Sequence, residues 1–467
     1  MITAAGRRDG GTIWGHPKGL FYLAFTETWE RFSFYGMTAL LVLYMVNQLL
    51  LPGHVEQVAG FAAFRAAIES VFGPLSTQAL ASQIFGLYSG FVYFTPLLGG
   101  LIADRWIGQR NAVVIGALSM TAGHIAMAFD QSFLLALLLL VLGSGFLKGN
   151  ISAQVGALYP VDDEARRTRG FAIFSMGINF GAVVGPLLCG LLAQLYGWHA
   201  GFGAAALFMI GGLATYLYGY RHLPARVARR ARESRPLTKH EWRIVLALVA
   251  VMAITIFQSI AYYQLANVGP VWMQEHVSLT AGSFSIPVPW FQSIDPLFSI
   301  IGVPVLFWLW RLQATRGGEP GDLAKIGIGA WLCMVSNLLL VFAISGSGGQ
   351  PIHWIWPFVY CAIQGIAFLY YWPTLLALVS RKAPAQINAT MMGFAFMSIF
   401  VGNNLIGWIG GFYEKMTPLA FWGLHAAIAA FGGLLMLLCG RRLSRVLATS
   451  GADQPLRSSA MTLEVER

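Results

Sequence analysis

Apolar residues in this chain run in long blocks, without the alternation of a half-buried strand or the single stripe of a soluble surface helix. Twelve blocks are long enough to cross a bilayer as helices. They lie at 18–50, 79–103, 111–129, 133–159, 170–195, 200–220, 243–268, 284–310, 325–345, 354–379, 390–412 and 417–440. Residues 1–17 and 446–467 are polar tails. The first block is too long and too apolar for a cleaved leader and reads as an uncleaved start signal. Between the first two blocks, residues 52–78 mix apolar residues with Arg65 and Glu69, which suits a short amphipathic helix. The pattern predicts an all-α protein of twelve transmembrane helices.

Composition agrees. Of 467 residues, 57% are hydrophobic and 11% charged, with mean hydropathy +0.63, whereas a soluble domain is about one quarter charged. A net charge of +10 would suit a nucleic-acid binder, but its distribution points elsewhere. Basic residues cluster at every second connection: Arg7, Arg8 and Lys18; Arg105 and Arg110; Arg166, Arg167 and Arg169; the run from Arg221 to Arg243; Arg311, Arg316 and Lys325; Arg381 and Lys382; Arg441, Arg442 and Arg445. The opposite connections hold Arg65 and Lys415 alone. Cytoplasmic loops carry such an excess, so both termini are expected in the cytoplasm of a cell-membrane protein, with the lipid bilayer and not nucleic acid as the partner. Cys189, Cys333, Cys361 and Cys439 fall within apolar blocks at no metal-like spacing and read as packing residues; no metal is expected.

The first block contains a contradiction. Glu27, Glu30 and Arg31 stand in its first half, where each charge costs about 2.5–3.5 kcal/mol near mid-membrane and needs a partner or a water-filled cavity. Spacings of three and four residues put the three head groups on one helix face. They form either a buried ion pair that holds helices together or a proton and substrate site, and the second reading is preferred because buried pairs stabilise poorly. Lys148, about two-thirds along the fourth block, is read as a counter-charge to Glu27 or Glu30, its alternative being a lysine that snorkels to the interface. His124 reads as a hydrogen-bonded packing residue. The stretch Gly143-Ser144-Gly145-Phe146-Leu147-Lys148-Gly149-Asn150 has neither the glycine spacing nor the preceding strand of a phosphate loop. No nucleophile–base set appears within the blocks, so an intramembrane enzyme is not expected.

Several motifs carry a family likeness. Ala103-Asp104-Arg105, between the second and third blocks, resembles the loop signature of the major facilitator superfamily. Glu27-Thr28-Trp29-Glu30-Arg31-Phe32, Gly145-Phe146-Leu147-Lys148-Gly149-Asn150, the opening of the fifth block from Gly170 to Gly181, Pro289 to Phe298 in the eighth, and Met391-Met392-Gly393 are similar to the proton-coupled oligopeptide transporters of that superfamily. The resemblance spans nearly the whole chain. It implies two six-helix halves, 18–220 and 243–440, joined by a linker at 221–242 and flanked by tails at 1–17 and 441–467. It implies proton-driven uptake of small peptides or peptide-like solutes by alternating access, powered by the proton gradient with no cofactor, by a monomer. Glu27, Glu30, Arg31 and Lys148 would couple protons; Tyr35, Tyr93 and Asn179 would line the substrate site; Asp104 and Arg105 would form a latch on the cytoplasmic side.

Departures from the family pattern gather on the recognition side. Thr38 stands where the family usually has an arginine, Ser175 where it has a tyrosine, and Tyr263-Gln264 where it has Glu-Gln. Phe368 replaces a glutamate in the tenth block, near Trp372, and Asp295 replaces an asparagine in the eighth. Tyr263, Gln264, Asp295, Phe368 and Trp372 are therefore expected to form an altered substrate wall. A non-peptide organic solute is the alternative cargo.

Overall fold

The computed structural model describes residues 12–160, 163–224, 235–316 and 318–448. Its helices are α1 (Lys18–Tyr44), α2 (Phe61–Phe72), α3 (Thr77–Ile102), α4 (Gly108–Ala126), α5 (Phe133–Ala157), α6 (Glu164–Tyr196), α7 (Trp198–Gly219), α8 (Lys239–Tyr263), α9 (Val268–His276), α10 (Phe291–Arg316), α11 (Asp322–Gly346), α12 (Ile355–Lys382), α13 (Asn388–Gly410) and α14 (Pro418–Ala448). Apart from the short α2 and α9, these are the twelve spans of the sequence. Among the described residues, eleven helical stretches are long and apolar enough to cross a membrane, and one of them, Thr77–Ala126, contains both α3 and α4. Those two helices are joined without a break by a π-helical turn over Ala103–Ile107. Gly108 reverses the chain there at φ 75°, a left-handed conformation that glycine adopts without penalty.

Two expected boundaries shift, each at proline. The block at 243–268 does not stay helical: α8 stops at Tyr263, and α9 begins after Asn267 with Pro270 in its first turn, where the missing N–H is not needed. The block at 284–310 starts late, because Phe284–Ser285 pairs with Thr280–Ala281 as a short antiparallel ladder and Pro287 and Pro289 delay the helix until Phe291. In the outer loop, α2 is the amphipathic helix expected there, with Phe61 and Ile68 buried. Arg65 bonds Glu69 at 2.9 Å. The Leu75 backbone N–H and the Arg65 guanidinium hold the Glu69 carboxyl below its usual range. The basic linker is described only at its edges: 225–234 lies outside the described residues, and α8 opens with a Thr238–Glu241 capping box.

The spans pack as two six-helix bundles, α1 with α3 to α7 and α8 with α10 to α14, touching chiefly along α3–α13 and α6–α10. Small residues set the closest approaches, as expected where apolar burial alone cannot drive helices together. On α6, Gly177, Gly181 and Gly185 recur every fourth residue against Thr28, Phe32 and Gly36 of α1, which have the same spacing. A methyl group at Gly181 would lie 2.6 Å from the Thr28 carbonyl oxygen. This contact seats α1 at the charged stretch. Gly181→Ala is therefore expected to push α6 away from α1 and lower stability by about 1–3 kcal/mol. An unchanged thermal midpoint of the purified variant in detergent would show that the two helices are not held this close.

Hydrogen bonds between the halves gather at one end. Asn47 donates to Gln274 at 2.9 Å, Asn267 to Ser82 at 2.6 Å, Gln194 to the Ser285 carbonyl at 3.1 Å, and Trp290 to the Leu187 carbonyl at 2.8 Å. Ser293 donates to the Val183 carbonyl at 2.7 Å, and Ser76 bonds Glu414. This is the end opposite the basic loops. The described state is thus sealed on that side, and at the basic end the halves are held by packing such as Leu97 against Gly393.

Candidate functional site

The site begins with α1. Arg31 Nε lies 2.8 Å from Glu27 Oε1 and 2.6 Å from Glu30 Oε2, so both carboxylates converge on one guanidinium. Glu30 is completely buried and Glu27 and Arg31 nearly so. The Glu30 contact is ionic and lacks hydrogen-bond geometry; both Glu30 oxygens and Glu27 Oε2 are buried without a hydrogen-bond partner among the described residues. Unsatisfied buried polar atoms of this kind are few in native proteins and call for an ion, water or proton.

Lys148, brought in by α5, stands beside this cluster without touching it. Its ammonium makes no ion pair with either glutamate among the described residues. It lies 4.3 Å from the Phe34 ring centre and 5.2 Å from that of Tyr93, a pair of cation–π contacts. It still shares the electrostatic surroundings of Arg31, Glu30 and Glu27. Close glycine contacts, Gly99 on Gly145 and Gly116 on Gly143, draw α5 against α3 and α4 and so fix where this lysine stands.

Across the middle of the molecule the wall is aromatic. Tyr93 of α3 faces Tyr263 of α8 with ring centres 6.4 Å apart and stacks on Phe396 of α13 at 6.5 Å. Trp372 of α12 meets Phe396 edge-on at 5.3 Å. Tyr35 lies edge-on to Phe34, and half-buried Asn179 sits on α6 between the glycines that pack on α1. In the second half, Phe368 stacks on Tyr262 at 5.4 Å. The Tyr262 hydroxyl donates to Asp295. Gly365 of α12 packs directly on the Asp295 backbone. Asp295 is thus held by a side-chain hydroxyl.

Other expected residues go elsewhere. Gln264 is fully buried and donates to the Ile406 carbonyl on α13 at 3.3 Å, so it braces the turn after α8 and is not brought to the aromatic wall. Thr38 donates to its own helix, at the Phe34 carbonyl 2.6 Å away, and offers no hydroxyl proton outward. Asp104 accepts from Gln109 at 2.8 Å, and Arg105 is exposed; neither has a partner in the second half among the described residues. His124 is buried as expected, but neither ring nitrogen has a hydrogen-bond partner among the described residues. Sequence reasoning missed Tyr262, Phe34 and Phe396. Tyr262 is adjacent to a residue singled out, and only the rotation of α8 decides which tyrosine meets α10.

The family model described as Major Facilitator Superfamily matches residues 20–407. The chain belongs to that superfamily. Among similar proteins of the superfamily's peptide-transporting branch is the peptide transporter YePEPT of Yersinia enterocolitica, 28% identical, the match covering 94% of this chain and 97% of the relative. The uncharacterized transporter YclF of Bacillus subtilis is 29% identical over 91% of this chain and 94% of its own length. Among solved structures, the peptide transporter POT in complex with sulfate superposes with a TM-score of 0.82 at 28% identity, covering 94% of this chain and 97% of that one. This major facilitator protein is thus a multi-pass membrane protein whose family and neighbours are transporters, and its likeness to the oligopeptide-transporter branch is the one its motifs carry.

Proposed function

We propose that the protein imports small peptides or peptide-like solutes together with protons, by rocking of two halves about a midplane site. The observation that carries this reading is the convergence of Glu27 and Glu30 on Arg31, beside Lys148, with carboxylate oxygens left unsatisfied inside the membrane. Two carboxylates and two cations balance. Adding one proton leaves a net positive charge, which a substrate carboxylate can meet or which release of the proton relieves. Tyr35, Tyr93 and Asn179 offer hydroxyl and amide groups to a peptide backbone, while Tyr263, Phe368 and Trp372 form an apolar wall. Asp104 and Arg105 would engage when the basic end closes. The positive-inside distribution supports cytoplasmic termini in a cell-membrane protein, and the reading requires only a proton gradient, one chain and no cofactor or metal.

A second reading, a non-peptide organic cargo, is favoured by one specific observation. Thr38 stands where a second guanidinium is usual and spends its hydroxyl on its own helix. Recognition of a free carboxylate is then weakened, because Arg31 is already engaged by both glutamates and Lys148 alone remains, set against the Phe34 and Tyr93 rings. Amidated dipeptides are expected to stabilise the purified protein about as well as free ones in a thermal-shift titration. Loss of more than about tenfold in affinity on amidation, roughly 1.4 kcal/mol, would mean that the carboxylate is still read. Counterflow of labelled dipeptide in liposomes separates the two cargoes: exchange supports the peptide reading, and its absence alongside exchange of another solute supports the second.

A further inference from the structure

Away from the central site, a cavity of about 610 Å³ opens between the ends of α11, α12 and α14, within the ~300–1,000 Å³ typical of small-molecule sites. Its body is apolar, lined by Leu323, Ile328, Trp331 and Leu437. Its mouth is basic, with Arg441 and Lys382 among the lining residues. The one acidic residue of the lining, Asp322, is paired with Arg381 and so does not oppose an anion. The Arg441 side chain is exposed and has no acceptor among the described residues, and Arg442 and Arg445 stand exposed on the same helix end. Trp331 closes the inner wall against Gly433, where a methyl group would lie 2.9 Å from the indole. Leu434, Leu437 and Leu438 continue the apolar surface outward along α14. Because α11 and α14 pack on α8, α12 and each other and not on the first half, this cavity faces away from the transport path.

We propose that this cavity is a binding site for an anionic phospholipid of the cytoplasmic leaflet, its phosphate at Arg441 and an acyl chain along Trp331, Ile328 and Leu437. The assignment rests on charge complementarity at a fixed depth. A cation at the mouth of an apolar slot, at the helix ends that carry the basic loops, matches an amphiphile with a negative head and a hydrocarbon tail. A soluble anion would leave the slot empty, and a zwitterionic lipid would bring its own cation to the basic mouth. The side of the membrane follows from the same positive-inside reading as the proposed function, but the site is independent of any cargo.

The test uses the full chain, delipidated in a neutral detergent and titrated with phosphatidylglycerol, with phosphatidylcholine of the same acyl chains, and with glycerol phosphate. Thermal midpoint and lipid retention in native mass spectrometry are the readouts. Phosphatidylglycerol is expected to act at concentrations at least tenfold lower than phosphatidylcholine, and glycerol phosphate to do nothing. Arg441→Glu should erase the preference between the two lipids, Arg441→Lys should keep it, and Ser444→Trp, which plugs the mouth, should abolish retention of both. Arg442→Glu, which alters a neighbouring charge outside the cavity lining, should leave the preference intact. Equal action of the two lipids, a preference that survives Arg441→Glu, or equal loss with Arg442→Glu would overturn the site. A preference seen only after removal of residues 449–467 would also overturn it, by making that tail the occupant.

Discussion

Glu30→Gln is expected to abolish accumulation of substrate against its gradient while leaving counterflow exchange partly intact. The substitution keeps the shape of a side chain that is completely buried and removes its ability to carry a proton. Exchange needs binding and rocking but no net proton movement, so the two assays separate coupling from folding. Lys148→Ala removes one of the two cations that balance the glutamates and should impair proton-driven uptake nearly as much. Lys148 contacts aromatic rings and not the carboxylates themselves, so this second effect tests whether the site acts through its summed charge. If Glu30→Gln accumulates substrate as the parent does, the carboxylate holds helices together and does not carry the proton.

Asp295→Asn should lower affinity for amine-bearing ligands by about 1.5–3 kcal/mol, the loss of a hydrogen bond to a charged group, and barely change affinity for N-acylated ones. The asparagine restores the residue usual in the family without restoring charge. With Phe368 at the position where the resemblance implies a glutamate, Asp295 would be the acidic group of the proposed wall, held by the Tyr262 hydroxyl and backed by Gly365. Thermal-shift titration of both ligand classes against parent and variant reads the difference. A parallel change in both classes, or in neither, means that Asp295 supports Tyr262 and does not meet an ammonium group.

Much of this arrangement is legible in the sequence, for reasons that differ from place to place. Blocks of apolar residues report the twelve spans because a membrane tolerates little else, and charge asymmetry along the loops is the ground for the proposed orientation. The helical spacing of Glu27, Glu30 and Arg31 suffices to put them together, since all three ride on one element. Lys148 is different. Its direct contacts depend on the depth and rotation of α5, which the Gly99–Gly145 and Gly116–Gly143 contacts set, and they are a pair of rings beside the glutamates whose charge it shares. The α8–α9 break hides because Leu265, Ala266 and Val268 continue the apolar run; Pro270 is the signal that marks it. Gln264 points into the turn packing for the same reason. The glycines at 177, 181 and 185 are plain in the sequence, but nothing in them names α1 as the helix they receive.

In the proposed function, protons drive substrate movement through the α1 charge cluster. This is tested most directly by uptake of a labelled dipeptide into liposomes holding the full chain, with the membrane potential clamped and the pH gradient imposed alone. Accumulation above the external concentration under an inward proton gradient, collapsed by a protonophore and absent in Glu30→Gln liposomes, is the expected result. Equal uptake with and without the gradient, or uptake indifferent to the protonophore, would mean that protons do not drive transport.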